Sequence, residues 1–317
     1  MLKAVERTFE LRGPRGLGAK PKPELIGPIL THLQDTLQDA VRMAFLHSSR
    51  ACGRIAAPLK AAADVRFIGH SARNEEVTQL HFEAQTFGSA AEELFRQRSL
   101  WEDGPKSEDT AFELVAAALY DVHVRRADSD RFDPPFLRRI ASYRRLLKRG
   151  IEQIALPDAI VPERGALDAQ VLDAAVELSA LTPRARRVRI TGRLDAAGAS
   201  QGVLKIHLRP GEVVAALWQA EAPTESLHDI FNQDVVIEGT GIFRPSGSLL
   251  RVDADVAARA SLQDEFFRSL PEASVDADVH KAMRLRAGEP PVYASIIGLI
   301  PAEESDEEFA AEVEAMS

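Results

Sequence analysis

Five short segments in the second half of the chain decide the fold. They are short runs rich in strand-forming residues, and the first of them alternate apolar with polar residues, which is the pattern of a β-strand with one buried face. In chain order they are Arg187–Leu194 (RVRITGRL), Gly202–Leu208 (GVLKIHL), Glu212–Trp218 (EVVAALW), Asp234–Phe243 (DVVIEGTGIF) and Leu249–Ala257 (LLRVDADVA). A helical turn is expected at Ser226–Phe231, between the third and fourth strands. This order predicts a small five-stranded barrel over residues 186–260, and a plain antiparallel sheet or sandwich is the alternative.

Two glycines inside the predicted strands favour the barrel. Gly192 and Gly239 interrupt strand patterns at points where a small barrel needs bulges or tight bends. Three strands, a short helix and two more strands resemble the partly open barrel of the OB type, which often binds oligonucleotides or oligosaccharides. The barrel therefore brings nucleic acid into consideration as a ligand.

The N-terminal half has a mixed pattern, which predicts an α+β domain over residues 1–155. Strands are expected at Met1–Leu11, Ala63–Gly69 and Thr78–Ala84. Apolar residues at helical spacing predict a long helix from Pro23 to Phe45. A second helix is expected to start after Ser107, where acids follow at once, and a third to run from Pro134 to Lys148.

Two further segments complete the predicted organisation. Residues 156–185 form a connector that contains a short helix, and residues 261–317 form a helix followed by an acidic tail. The fold class is therefore α+β: an N-terminal α+β domain, an OB-like five-stranded barrel and a C-terminal tail.

Composition limits the possible functions. The chain of 317 residues carries 39 Lys and Arg against 48 Asp and Glu, and a net charge of −9 disfavours indiscriminate DNA binding. The single Cys52 can form neither an internal disulfide nor a thiolate zinc cluster, so a reducing compartment, the cytoplasm, is expected. The sequence shows neither a signal peptide nor an apolar run long enough for a membrane span.

Motifs of catalysis and metal binding are absent from the sequence, which predicts that the protein is not an enzyme and uses no cofactor. The glycine loop Gly13–Lys20 lacks the Lys-Ser/Thr end of a phosphate-binding loop, and no HExxH pair occurs. Ser71 follows His70 without a partner that the sequence identifies. An enzyme would need a pocket that joins His70, His81 and a carboxylate.

Two basic clusters indicate a possible anionic partner. The predicted helix at 134–149 contains no acid, and the first barrel strands are also rich in arginine. The candidate contacts are Arg138, Arg139, Arg144 and Arg145 on the helix, with Arg187, Arg189, Arg193, Lys205 and the aromatic Trp218 in the barrel. The alternative is that these charges are solvated or paired with acids elsewhere in the protein.

The C-terminal tail combines an apolar cluster with an acidic end. The cluster is followed by Pro301 and by acids without a single Lys or Arg; it consists of Tyr293, Ile296, Ile297, Leu299 and Ile300. An apolar cluster at this position needs a groove on a partner or on the protein itself. An acidic amphipathic helix that docks on its own domain is therefore the alternative to partner binding.

The segment Ile296–Phe309 (IIGLIPAEESDEEF) resembles the C-terminal segments of bacterial antitoxins that are encoded beside PIN-domain ribonuclease toxins. Those segments have an apolar run with Gly, then Trp-Pro-Gly-Asp-Glu and a short acidic helix. Ile300 stands here where Trp is usual, and Ala302 where Gly is usual. The resemblance covers about residues 290–317 of the chain.

The resemblance implies a tail that lies across a PIN-type ribonuclease and blocks its metal-dependent active site. It also implies that a basic side chain enters that acidic site, and the candidates are Lys281, Arg284 and Arg286. The sequence thus predicts a non-catalytic, antitoxin-like adaptor. The alternative is a nucleic-acid-binding protein that uses the barrel and the basic helix.

Overall fold

The structure is a computed structural model that describes residues 4–14, 18, 20–50, 56–92, 105–156, 166–198, 202–209, 212–218 and 230–275. By its contacts the chain divides into two units, residues 1–273 and residues 274–317. All the helices and strands given below belong to the first unit. No helix of the described residues is both long and apolar enough to cross a membrane.

The N-terminal part of the first unit mixes helices with four strands. The strands are β1 (Ala4–Arg12), β2 (Val65–Ala72), β3 (Val77–Gln85) and β4 (Gln153–Ala155). The helices are α1 (Pro23–Leu46), α2 (Ala57–Ala62), α3 (Phe87–Ala90), α4 (Ala111–His123), α5 (Pro134–Ser142), α6 (Arg144–Leu147) and α7 (Ala169–Leu181). The predicted α+β class and the long first helix are confirmed.

The four strands form one antiparallel sheet in the order β2-β3-β1-β4. Its inner face contributes Phe9, Leu80 and Phe82 to the core, and the rings of Phe9 and Phe82 meet edge to face with centroids 5.6 Å apart. Helix α1 covers this core because its buried residues, among them Leu33 and Leu37, recur at helical spacing. The opposite face of the sheet is polar.

Two helix boundaries differ from the sequence prediction for local reasons. The helix expected after Ser107 begins at Ala111, because Thr110 caps it and Glu113 closes a capping box with the Thr110 backbone. The helix predicted over 134–149 is broken at Tyr143 into α5 and α6. There the Ser142 hydroxyl donates to the Arg139 carbonyl, and the Tyr143 N–H donates to a carbonyl only three residues back.

Helix α7 lies in the segment that was predicted as a connector. It buries Val171, Leu172 and Leu178 in the same core as the N-terminal helices, and it packs on α4 and α5. This part of residues 156–185 therefore contributes to the N-terminal core as well as leading to the barrel.

Five strands close into a barrel, as predicted. They are β5 (Arg186–Gly198), β6 (Val203–Arg209), β7 (Glu212–Trp218), β8 (Asp234–Phe243) and β9 (Leu249–Arg259), and a 3-10 helix (Leu262–Phe267) follows. Around the barrel the order is β5-β6-β7-β9-β8, with β7 and β9 parallel and the other pairs antiparallel. This arrangement is compatible with an OB-like barrel. Most of the helical turn expected at Ser226–Phe231 lies outside the described residues.

The two strand glycines allow the backbones to approach closely. A Cβ on Gly192 would stand 2.5 Å from the His207 carbonyl oxygen, and a Cβ on Gly239 would collide with the Asp253 carbonyl. The strand register shifts close to both glycines, at Leu194 and at Glu238. Glycine is required here because the barrel bends where no side chain fits.

Candidate functional site

The predicted partner-binding residues of the tail lie outside the described residues. This set consists of Lys281, Arg284, Arg286, Tyr293, Ile296, Ile297, Leu299 and Ile300. The candidate site is therefore built from the basic clusters, the cavity and the exposed apolar surface of the first unit.

The basic helix residues divide into paired and exposed charges. Arg139 donates to Asp39 at 3.0 Å and to Asp35 at 2.8 Å, and Arg144 forms an ion pair with Asp173. Burial raises the pKa of the Asp39 carboxyl, and the neighbouring Arg139 charge opposes that rise. Arg139 therefore holds a buried carboxylate of α1 in place.

Arg138 and Arg145 differ from these neighbours because they point to solvent. Both are exposed, and within the described ranges neither forms an ion pair. Lys148 is exposed in the same way. The free positive surface of this region consequently carries fewer charges than the sequence indicates.

The barrel arginines are engaged by side chains of the barrel itself. Arg187 pairs with Asp255, Arg189 with Asp264 and Glu238, and Arg193 donates to Asn232. These contacts neutralise much of the strand β5 surface that was predicted to meet phosphates.

Lys205 and Trp218 are both largely covered by the rest of the protein, although they lie on different faces of the barrel wall. Lys205 is only 9% exposed, and Trp218 packs against the barrel core with its indole nitrogen buried. A base that stacks on an aromatic side chain needs an open ring face. The packing of Trp218 therefore reduces its value as a stacking platform.

A cavity of about 770 Å³ separates the helices from the β6–β7 side of the barrel. Met43 of α1, Leu114 of α4 and Lys205 of β6 are among its lining residues. Its lining acids are matched in number by its Lys and Arg residues, and Asp121 pairs with Arg126 at 2.8 Å and with Arg131 at 2.7 Å; the acids are Asp109, Glu113, Asp121, Asp128 and Asp130, and the bases are Lys106, Arg126, Arg131, Lys205 and Arg244. The wall thus offers no excess of one charge that would select an anionic or a cationic ligand.

A buried ion pair joins the helical part to the barrel. Arg251 of β9 donates to Asp133 at 3.3 Å and to the His47 carbonyl at 2.9 Å, and both side chains of the pair are almost fully buried. Asp133 also caps α5 and accepts from the hydroxyl and the N–H of Ser49.

The strongest exposed apolar feature among the described residues is the 3-10 helix. Leu262 is 91% exposed and Phe266 is 86% exposed, although both are large apolar side chains. Asp264 fixes this helix because it accepts from Ser261 and pairs with Arg189 of the barrel, whose guanidinium also lies 4.9 Å from the Phe267 ring centre. The sequence signal was the Phe-Phe pair within a short helical segment.

The chain matches no known protein family, no curated protein and no solved structure. Within the described ranges, no group of three or more His, Cys, Asp or Glu side chains could hold a metal ion. Support for a function therefore comes from the side chains of this chain alone.

Proposed function

We propose that this protein is an adaptor that binds another protein through residues 261–317, the partner-binding region. The observation that carries this proposal is the exposure of Leu262 and Phe266 on the 3-10 helix that Asp264 links to the barrel. These side chains immediately precede the second unit, which contains the apolar cluster at 293–300. Apolar side chains exposed to this degree on a fixed element are typical of a protein interface.

The size of the apolar surface is sufficient for a specific interface. Full burial of one large apolar side chain contributes about 1.5–3 kcal/mol. Leu262 and Phe266, together with the apolar cluster of the tail, therefore supply enough binding energy to dominate a small interface. The acids that follow Pro301 would act mainly on orientation and association rate.

A PIN-type ribonuclease is the partner class that we propose, on the strength of the antitoxin-like segment Ile296–Phe309. In this complex the tail lies across the nuclease and restrains it. Lys281, Arg284 and Arg286 are the basic side chains available to enter its acidic metal site.

The interface itself is tested by a double substitution in the 3-10 helix. The neighbouring gene is expected to encode a small PIN-type ribonuclease, which is co-expressed with the full chain. Leu262→Ser with Phe266→Ser should weaken binding at least about tenfold, because two apolar anchors leave the interface. The matched control is Leu181→Ser on α7, whose side chain is 56% exposed outside the partner-binding region. Equal affinities of the two variants would contradict the proposal.

Binding of nucleic acid is the second candidate function, and one observation favours it. Arg138, Arg145 and Lys148 are exposed on neighbouring turns, and they form no ion pair within the described ranges. Arg138→Glu with Arg145→Glu should then abolish binding to single-stranded DNA or RNA and reduce its salt dependence. Arg184→Glu, which changes an exposed arginine outside this helix, is the control.

A further inference from the structure

Three polar side chains on the outer face of the N-terminal sheet form a continuous line. The Ser71 hydroxyl oxygen lies 2.8 Å from Nε2 of His81. On the other side of the ring, Nδ1 of His81 lies 3.5 Å from a carboxylate oxygen of Glu6. These residues come from β2, β3 and β1, which are neighbours in the sheet. The sequence offered no partner for Ser71, and its partner is a histidine on the adjacent strand.

A bulge in β2 creates the contact between Ser71 and His81. Phe67 pairs with Phe82 and Gly69 pairs with His81, so Ile68 is one extra residue in β2. Directly paired residues point to the same face of a sheet, and the extra residue therefore reverses the alternation after Phe67. Without the bulge, Ser71 would share the side of Phe67, whose ring meets the buried ring of Phe82. Bulges of this kind often re-aim a side chain beside an active site.

The line of residues is accessible from solvent. Ser71 is exposed, and β2 is an edge strand of the sheet. Gly69 stands opposite His81, and a Cβ on Gly69 would meet no atom within 4 Å. The space beside the imidazole and the hydroxyl is therefore open to a small molecule.

The two ring nitrogens of His81 have different surroundings. Nδ1 is buried, forms no hydrogen bond to another described residue, and lies 3.5 Å from the Glu6 carboxylate. In the tautomer with the proton on Nδ1, Nε2 accepts from the Ser71 hydroxyl. This is the arrangement in which a histidine acts as the base for a serine nucleophile.

A cation lies at the same corner of the sheet. Arg73 donates to Glu10 at 3.0 Å, and Gln79 donates to the same carboxylate oxygen at 3.1 Å. The Gln79 side-chain oxygen lies 3.3 Å from the Ser71 hydroxyl and is the alternative to His81 as acceptor of its single proton. The exposed Arg73 side chain is connected to Ser71 through Glu10 and Gln79.

We propose that Ser71, His81 and Glu6 form a hydrolytic site for small carboxylic esters. The Ser71 oxygen bonds to the ester carbonyl carbon, the carbonyl π electrons move to the carbonyl oxygen, and the Ser71 proton passes to Nε2 of His81. The bond to the alkoxide then breaks, and His81 returns the proton to the leaving alcohol. Water hydrolyses the acyl-serine with His81 again as the base, which yields the carboxylic acid and free Ser71. Glu6 is a positioning residue that orients the ring.

The experiment uses the full chain with 4-nitrophenyl acetate as substrate and a fluorophosphonate as the covalent probe. The probe should attach to Ser71, as located by mass spectrometry of the digested protein. Ser71→Ala and His81→Ala should each lower kcat at least about tenfold, since one general acid–base group typically accelerates a reaction roughly 10²–10⁴-fold. His70→Ala is the matched control: its side chain is next to Ser71 on the same strand and has no place in the proposed line.

Glu6→Gln tests the positioning role through the pH profile. The variant should lower kcat and shift the pH dependence of kcat, because the amide no longer stabilises the charged imidazole. A purely structural role of Glu6 would leave the pH profile unchanged. Labelling at a residue other than Ser71, or a Ser71→Ala rate equal to the native rate, overturns the proposal. Ser71→Ala removes only an exposed hydroxyl, so it remains decisive even if His81→Ala fails to fold.

Discussion

Arg138 and Arg139 are neighbours on α5 and have different roles, because only Arg139 reaches the acids of α1. Arg139→Ala would remove the nearer of two cations from Asp39, whose side chain is 4% exposed, and leave only Arg42 at 3.7 Å. We expect a loss of about 1–3 kcal/mol in the free energy of unfolding. Arg138→Ala should change it by at most about 0.5 kcal/mol, since its side chain is exposed. Urea unfolding of both variants measures the difference, and equal losses would contradict it.

This pair of residues shows what residue-level reasoning from sequence can achieve. The arginine-rich segment was recognised, and partial pairing with internal acids was one of the two interpretations. The partners were not predictable, because Arg139 and Asp39 are 100 positions apart in the chain. The Ser71–His81 contact was missed for a related reason, since it depends on a bulge at Ile68 that no sequence pattern marks.

At the scale of elements, strand β8 tests the requirement for glycine in the barrel. Gly239→Ala places a methyl group against the Asp253 carbonyl, and this backbone group cannot easily move away. We expect the free energy of unfolding to fall by about 1–3 kcal/mol or more. The control is Gly27→Ala in helix α1, whose new methyl group meets no atom within 4 Å. It should raise the free energy of unfolding by about 0.5–1 kcal/mol. Thermal melts followed by circular dichroism decide this, and a neutral Gly239→Ala would show that the bend tolerates a side chain.

The 3-10 helix should lose the stabilising contacts of the Asp264 carboxylate at low pH. Hydrogen bonds from the backbone and hydroxyl of Ser261 lower the pKa of Asp264 below its ordinary value of 3.8, and the Arg189 charge adds to this. A lowered carboxyl pKa contributes stability above the unfolded value, and this contribution is lost as the pH falls through the folded value. The melting temperatures of the native chain and of Asp264→Asn should therefore differ at pH 7 and converge below about pH 4. A constant difference would contradict this role of Asp264.

The elements themselves were largely predictable because their signals are local. Apolar spacing located α1, and runs of strand-forming residues, some of them alternating, located all five barrel strands to within a few residues. The start of α4 was placed three residues too early because Thr110, rather than Ser107, carries the capping box with Glu113. The break at Tyr143 was missed because it depends on a hydrogen bond that the Ser142 hydroxyl donates to the Arg139 backbone carbonyl. Such competition between side chain and backbone leaves no mark in hydrophobic periodicity.

At the scale of the whole molecule, the ion pair between Arg251 and Asp133 joins the barrel to the helices. Arg251→Met leaves Asp133 buried without a charge partner and should lower the free energy of unfolding by about 3–5 kcal/mol. Arg187→Met, which removes an exposed pair with Asp255, should lower it by about 0–1 kcal/mol. Chemical denaturation of both variants measures these two losses. A small effect of Arg251→Met would mean that the pair does not hold the two parts together.

Sequence patterns divided the chain near residues 155 and 186, yet they could not show how the parts meet. The contact uses Asp128 and Asp130, which lie in a polar loop and accept hydrogen bonds from Ser246 and Arg244 of the barrel turn. Single charged residues in loops are common, so nothing in the sequence distinguishes the ones that join two parts of a protein. The exposed Leu262 and Phe266 are likewise visible only once the 3-10 helix is placed.

The most direct test of partner binding through the apolar cluster of the tail, residues 293–300, is a chain that ends at Gly288, assayed against the PIN-type ribonuclease. The two buried cores described above lie within residues 1–273, so this shortened chain should melt at the same temperature as the full chain. It should no longer restrain RNA cleavage, whereas the full chain does. A shortened chain that still blocks the nuclease, or that precipitates or melts early because the tail belongs to its own core, would contradict the account.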